Sequence, residues 1–567
     1  MQSENDNRAV EGVLSDLQQA RPIPALWICA LAVFAILTGA NLYFGDLNQD
    51  EGWYLYAGRL VHEGQVPYRD FAFTQGPVMA YAYALFHPAV EAFGVAGGRM
   101  VTGLLGAAAA LCAAWLVFGI AAHDRKRIAA LLAFILAAVN VYQSYHCTIV
   151  KTYSLCALLI VLGFLCLMRV NRRYGGVWAM VAGLFLVMAA GTRISAGIIL
   201  PIVFLFLVSG RKSTGLAWFW FGLGAGLSAC AIFGPFLVVA RESFLFGVIQ
   251  YHAGRTVGGA ATQIVYKGGF ISRVVQDYFV AIGLFAALIL ARVFRMGGAG
   301  GDSPGSARAG DPATAPGAAV VPARMMLGMI WCSVAAVTLV HISAPFPYDD
   351  YQVAIFPLFA AALACGLARI PWSGKAASWL LLTVFLLSVM SSFSSPVNQS
   401  WVIRERDRIW WRLKSESSLE ILRKSGARIR SLAGPEKLLL TQDTYLAVES
   451  GLHVPKGLEM GPFSYYPALD DKAAARLHVL NKKMLCELIG GTEASVAAFS
   501  GYGLAIRSPG VEEITGDEPG ELRGVVGGRY SIDKPEIPFF GQDLTTLRIM
   551  VRSDRAGAQA ESPPPSN

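Results

Sequence analysis

Apolar residues in this chain come in long unbroken runs, without the alternation of a strand or the one-sided stripe of a surface helix. The runs fall near 26–44, 100–121, 128–145, 153–168, 176–191, 194–209, 215–240, 278–294, 325–343, 353–368 and 376–393. A helix of about 20 apolar residues crosses the ~30 Å hydrocarbon layer of a bilayer. Only a helix or a closed barrel satisfies its own backbone there. The pattern predicts an α-helical polytopic membrane protein of about eleven transmembrane helices, with a further membrane-associated helix over Pro77–Phe93. Residues 1–25 form a polar cytoplasmic segment with no short apolar core and small-residue cleavage site, so the first run is expected to be a retained anchor.

The interruptions organise the chain. The loop 46–99 splits the first two runs of the bundle, 26–395, and carries the adjacent carboxylates Asp50 and Glu51. After them come Tyr54, Tyr56, the turn-like Gly64-Gln65-Val66-Pro67, Tyr68, Asp70 and the breaker Gln75-Gly76-Pro77. A loop this long, rich in aromatics and paired acids, is expected to be functional. Segment 296–324 is rich in Gly, Ala and Pro, cannot bury a core, and reads as a flexible cytoplasmic linker. Beyond Ser395 the apolar runs shorten. Strand-like pieces (Lys437–Thr441, Gly503–Arg507) alternate with a helical one (Asp470–Leu488), predicting a small extracytoplasmic α/β domain over 396–555 and a disordered tail over 556–567. Trp401–Arg430, with three tryptophans among arginines, reads as a helix lying at the membrane interface; the alternative is a direct part in holding an anionic lipid substrate.

Composition excludes an ordinary soluble protein: 54% hydrophobic and 15% charged residues over 567 positions. Basic residues cluster in the N-terminal segment, at Arg125–Arg127, Arg169–Arg173, Arg211-Lys212, and around the linker. The positive-inside bias makes those segments cytoplasmic. The 46–99 loop and the C-terminal domain are then expected to face outward from the cytoplasmic membrane. The net charge of +8 suits anionic membrane lipids as partners, and no nucleic-acid motif is present. The nine cysteines show no metal-ligand spacing. Only Cys147 and Cys486 are expected on the oxidising side, and no disulfide is expected.

Each polar candidate has a structural and a chemical reading. Asp50 and Glu51 either cap a helix or supply a general base. Arg193 sits in a short turn between two runs, either snorkelling to the interface or binding an anion there. Lys151, beside the polar stretch Tyr142–His146, carries the same two readings. Arg255 and Lys267 belong to a Gly-rich outer loop over 241–277 that is suited to closing on a ligand. His341 and Tyr351 border the turn APFPYDDYQ.

Several motifs occur together in order: Asp50-Glu51 after the first run, Gly76-Pro77, Phe93-Gly94…Arg99, Gly191-Thr192-Arg193…Pro201, and Tyr351…Phe356-Pro357. This set, over roughly 26–395, resembles the GT-C-type membrane glycosyltransferases, in particular the superfamily (family 39-like) of protein O-mannosyltransferases and the bacterial lipid A aminoarabinose transferase. The resemblance implies an inverting transfer of a sugar from a polyprenyl-monophosphate donor to an extracytoplasmic acceptor (lipid, glycan or protein). It makes Asp50 the base that deprotonates the acceptor, with Glu51 beside it. Arg193, Lys151, Arg255 and Lys267 would bind the donor phosphate, and Tyr54, Asp70, Gln75, His341 and Tyr351 the substrates. No cofactor and no metal are expected. The chain departs from the family pattern where relatives commonly carry a lysine before the proline of the first loop, here Gln75. It departs again where they often carry an acid at the start of the fourth helix, here Lys151-Thr152. Two other functions fit the composition: a transporter or flippase of lipid-linked sugars, and a pyrophosphate-dependent ligase or polymerase of surface polysaccharide. Transporters tend to carry charges and broken helices at mid-membrane, whereas here polar groups gather at one face.

Overall fold

A computed structural model of the protein describes residues 22–255, 258–297, 321–370, 373–394, 416–500, 516–540 and 545–554. Most of the N-terminal segment and of the linker, Trp401–Ser415, the Gly503–Arg507 strand and the tail lie outside the described residues.

All eleven apolar runs are helical. Six helices are long and apolar enough to cross a membrane: Ile23–Phe44, Val95–Ile120, Gly175–Thr192, Ala217–Val239, Ala323–Ser343 and Gly374–Ser392. Two further segments are broken. Lys126–Ala138 and Val141–Thr148 meet at 66°, and Ala260–Asp277 and Phe279–Val293 at 93°. The remaining three, Tyr153–Leu167, Ile194–Ser209 and Phe356–Ala368, are shorter apolar helices. Hydropathy alone does not register such breaks. At the first, the Asn140 side chain accepts from Gln143 N at 2.9 Å, capping a new helix in mid-run. The bend turns Gln143, Ser144 and His146 into the protein interior, all buried. Outer helices expose apolar residues such as Ile28, Leu104 and Val238, faces that fit lipid rather than water.

The first loop is mostly ordered as helix. Gln49–His62 starts at a capping box in which Asn48 accepts from Asp50 N and Glu51 accepts from Asn48 N, each at 3.0 Å. The cap is therefore Asn48, which leaves the Asp50 side chain free for other contacts. Glu51 has a second task. It is fully buried and forms a bidentate pair with Arg99 at 2.6 and 2.8 Å. Arg99 spends its other donors on the carbonyls of Leu42, Gly45 and Asp46, closing the loop onto the second span. Farther on, the Tyr68 hydroxyl donates to Gln75 O and holds the breaker in place. Gly76 packs on the backbone of Gly191, where a Cβ would collide with the Gly191 carbonyl. That close approach sets Gln75 beside the turn carrying Arg193.

The C-terminal domain is a four-stranded sheet in the order β1-β2-β4-β3: β1 (Leu439–Leu440), β2 (Val496–Phe499), β3 (Tyr530–Phe540) and β4 (Thr545–Arg552). β1 runs parallel to β2, and β4 is antiparallel to both its neighbours. Helices Ser418–Leu432, Thr444–Ser450 and Lys482–Gly491 flank it; the expected helix over 470–488 is broken into Asp471–Arg476 and Lys482–Gly491. The domain docks on the loop helix Gln49–His62. A Cβ on Gly52 would collide with the Tyr445 backbone nitrogen, so only glycine permits this contact. The Tyr56 hydroxyl accepts from Val454 N at 3.0 Å.

Candidate active site

A cavity of about 530 Å³ opens where the loop helix, the Arg193 turn and the C-terminal domain meet. Asp50 stands in its wall in the first turn of the loop helix, with its side chain 28% exposed. The Trp53 indole donates to Asp50 Oδ1 at 3.2 Å. Lys151 Nζ lies 3.1 Å from Asp50 Oδ2 and 2.8 Å from Asp350 Oδ2. The carboxylate is thus gripped from both sides while part of it faces the cavity. Burial opposes the charge on Lys151, but Asp350, Tyr153 and Asp50 outweigh it and hold the ammonium well above the usual lysine range.

The same lining carries two guanidiniums. Arg193, at the end of helix Gly175–Thr192, stacks on Tyr351 at 4.2 Å and on Tyr153 at 5.1 Å. Its Nη1 donates to Thr152 Oγ1 at 3.3 Å. Arg255 donates to the Tyr351 hydroxyl at 3.4 Å and to the Tyr251 hydroxyl at 3.1 Å. Among the described residues neither arginine pairs with a carboxylate, and the Nε of each is buried without a hydrogen-bond acceptor. Aromatic faces hold these cations without neutralising them.

The rest of the lining is uncharged. Burial, helped by Arg255, pushes the His252 imidazole down to about 4, so it is neutral at physiological pH and donates from Nε2 to Thr74 O at 2.8 Å. His341 sits between Ser195 Oγ at 2.9 Å and Gln352 Nε2 at 3.1 Å. Burial and then Asp50 push the Tyr54 phenol well above its ordinary value, keeping it protonated.

The cavity gathers Asp50, Lys151, Arg193, Arg255, Tyr54, Gln75, His341 and Tyr351 from far apart in the chain. Three expected residues are not brought there. Glu51 points away into its pair with Arg99. Asp70 is taken up by Arg69 and by the Val66 backbone N–H, each at 2.7 Å, and closes its own turn. Lys267 lies on helix Ala260–Asp277 outside the lining. Sequence reading missed Asp350, Gln49, Trp53, Tyr251, His252 and Phe463, all of which line the cavity. Asp350 had a visible signal in the Asp349-Asp350-Tyr351 run, an acid pair beside an apolar run. Phe463 reaches in from the C-terminal domain and had none. Among the described residues no group of three or more His, Cys, Asp or Glu is placed to hold a metal ion, and all nine cysteines are free.

No family model and no curated protein sequence matches the chain. Solved structures do. ArnT from Cupriavidus metallidurans in the apo state superposes with a TM-score of 0.56 at 13% identity, over 93% of this chain and 98% of that one. ArnT bound to undecaprenyl phosphate gives 0.49 at 13% identity, over 93% and 97%. The Archaeoglobus fulgidus oligosaccharyltransferase in complex with Zn and sulfate gives 0.41 at 11% identity, over 82% and 68%. The chain has the fold of the first of these: a GT-C-type helical membrane bundle with a small C-terminal sheet domain.

Proposed function

We propose that this protein is an inverting glycosyltransferase that moves one sugar from a polyprenyl monophosphate to an extracytoplasmic acceptor, with Asp50 as general base. The observation that carries the reading is a carboxylate sharing one cavity lining with two guanidiniums that pair with no carboxylate among the described residues. Asp50 and Asp350 against Lys151 leave one negative charge; Arg193 and Arg255 add two positive ones. The balance of one positive charge matches a single phosphodiester anion. The likeness in fold to ArnT, a protein solved with undecaprenyl phosphate, supports the donor class.

In the transfer, an acceptor oxygen or nitrogen attacks the sugar C1 from the face opposite the phosphate. The new bond to C1 forms as the C1–O bond to phosphate breaks, and configuration inverts. Asp50 takes the acceptor's proton. The polyprenyl phosphate leaves with the bonding pair, and Arg193 and Arg255 stabilise the charge it gains. Lys151, already held by two carboxylates, orients Asp50 and is not a free phosphate clamp. Glu51 positions the loop helix through Arg99.

The site and the C-terminal domain share one end of the bundle, and Arg125 binds the Ala368 carbonyl at the other. That arrangement supports an outward-facing site in the bacterial inner membrane. The test is transfer by the purified full chain in detergent, followed by mass spectrometry of lipids and glycans from a deletion strain. An enzyme loses a single-sugar increment in the strain and restores it in detergent extracts. A flippase restores nothing once the membrane barrier is dissolved, and that result would refute the proposal.

A further inference from the structure

Among the described residues of the C-terminal domain, Phe463 alone lines the cavity, and its ring is only partly buried. The Trp53 ring lies 6.5 Å away at 66°, so it props the Phe463 ring without stacking flat over it. Trp53 is the residue that donates to Asp50 Oδ1. Phe463 therefore belongs to the Asp50 side of the cavity, where the acceptor loses its proton. Its mount is fixed at both ends. Phe463 sits on a short 3₁₀ turn, Gly461–Ser464. Ser464 Oγ accepts from Met460 N at 3.2 Å, and Ser464 O accepts from Leu480 N at 2.9 Å. Gly461, at φ +59°, packs so closely on Gln442 O that a Cβ would collide with it. The next residue, Asp443, accepts from Gln49 Nε2 at 2.8 Å, across 394 positions of sequence. Gln49 precedes Asp50, so one short stretch of chain ties the turn carrying Phe463 to the helix carrying the base. An apolar ring left against water there costs hydrophobic free energy, which is regained when a ligand covers it. A sugar suits that place: hydroxyls project from its rim, while the C–H bonds of one face form an apolar patch.

We propose that Phe463 is a specificity-determining residue whose ring stacks on the apolar C–H face of a sugar, so that the C-terminal domain takes part in substrate selection. The inference rests on the glycosyltransferase reading and deepens it. The sugar comes from one of two sources, the donor or the acceptor. The chemistry common to both is a saturated ring with polar edges and one apolar face.

The experiment uses the full chain and reads two quantities for wild type, Phe463→Leu and Phe463→Tyr. The first is binding of undecaprenyl phosphate and of its glucosyl, galactosyl, mannosyl and arabinosyl derivatives in lipid nanodiscs. The second is the rate at which membranes of the complemented deletion strain form the single-sugar increment from their own donor and acceptor. Phe463→Leu keeps an apolar side chain but removes the ring, and should lower that rate about fivefold. Phe463→Tyr restores the ring and should stay within about twofold of the wild type. Bare undecaprenyl phosphate should bind all three proteins alike. If Phe463→Leu also lowers the preference for a glycosyl derivative over undecaprenyl phosphate, the stacked ring is the transferred sugar. A rate loss without that change assigns it to the acceptor. Arg193→Ala tests the underlying reading separately: it should weaken undecaprenyl phosphate itself, and an unchanged affinity there counts against the phosphate site and not against Phe463. The inference is overturned if Phe463→Leu transfers at the wild-type rate, if Phe463→Tyr falls as far as Phe463→Leu, or if Phe463→Leu weakens undecaprenyl phosphate as much as it lowers the rate.

Discussion

Lys151 Nζ lies 2.8 Å from Asp350 Oδ2, and both side chains are more than nine-tenths buried. The contact joins the start of helix Tyr153–Leu167 to the turn after Ala323–Ser343 and aims the ammonium at Asp50. Removing one partner of such a pair strands a buried charge. Asp350→Ala should lower unfolding stability by about 3 kcal/mol, read as a drop in melting temperature in detergent. An unchanged melting temperature would show that Lys151 is adequately paired by Asp50 alone.

Glu51 and Asp50 are neighbours in sequence with separate tasks. Glu51→Gln leaves Arg99 buried and unneutralised, so it should also cost about 3 kcal/mol of stability. Turnover per folded molecule should stay near that of the wild type. Active-site titration alongside thermal denaturation checks this, and a large loss of turnover in stable protein would return Glu51 to the chemistry.

How far this was legible in the sequence depends on whether a feature is local. The apolar runs, the helix at Ala323–Ser343 and the gathering of Asp50, Arg193 and Tyr351 in one place follow from patterning and motif order. The breaks at Asn140 and Tyr278 do not, because they arise where polar groups find partners in other helices. The separation of Asp50 from Glu51 was half legible: consecutive helical residues point about 100° apart, but only the fold supplies Arg99. Gln49 and Asp443 were invisible, since nothing in either segment announces a contact across 394 positions.

Gly52 lies outside the cavity lining, yet it sets the distance between the loop helix and the C-terminal domain. Gly52→Ala drives a Cβ into the Tyr445 backbone, which cannot move as a flexible side chain does. The helix carrying Asp50 must shift. A displacement on the order of 1 Å is enough to lower turnover about 100-fold, with the transmembrane bundle still folded. Wild-type kcat in Gly52→Ala would show that the docking is slack.

Arg193 is held by aromatic rings and lacks an acidic partner among the described residues. Arg193→Ala should therefore leave stability nearly unchanged and weaken donor binding about 10- to 100-fold, the range of a charge-assisted hydrogen bond. Arg193→Lys should recover part of it, because charge returns without the planar fork. Donor titration by intrinsic tryptophan fluorescence separates the three proteins.

The base itself is tested by a single substitution. Asn at position 50 keeps the size of the side chain and the contacts to Trp53 and Lys151 in large part, but it cannot take a proton. A deletion strain is complemented with wild type or Asp50→Asn at matched membrane levels, and the acceptor's single-sugar increment is followed over time by mass spectrometry. The predicted result is an initial rate lower by about 10²–10⁴-fold for Asp50→Asn, the usual contribution of a general base. An increment that appears at the wild-type rate would contradict the role assigned to Asp50.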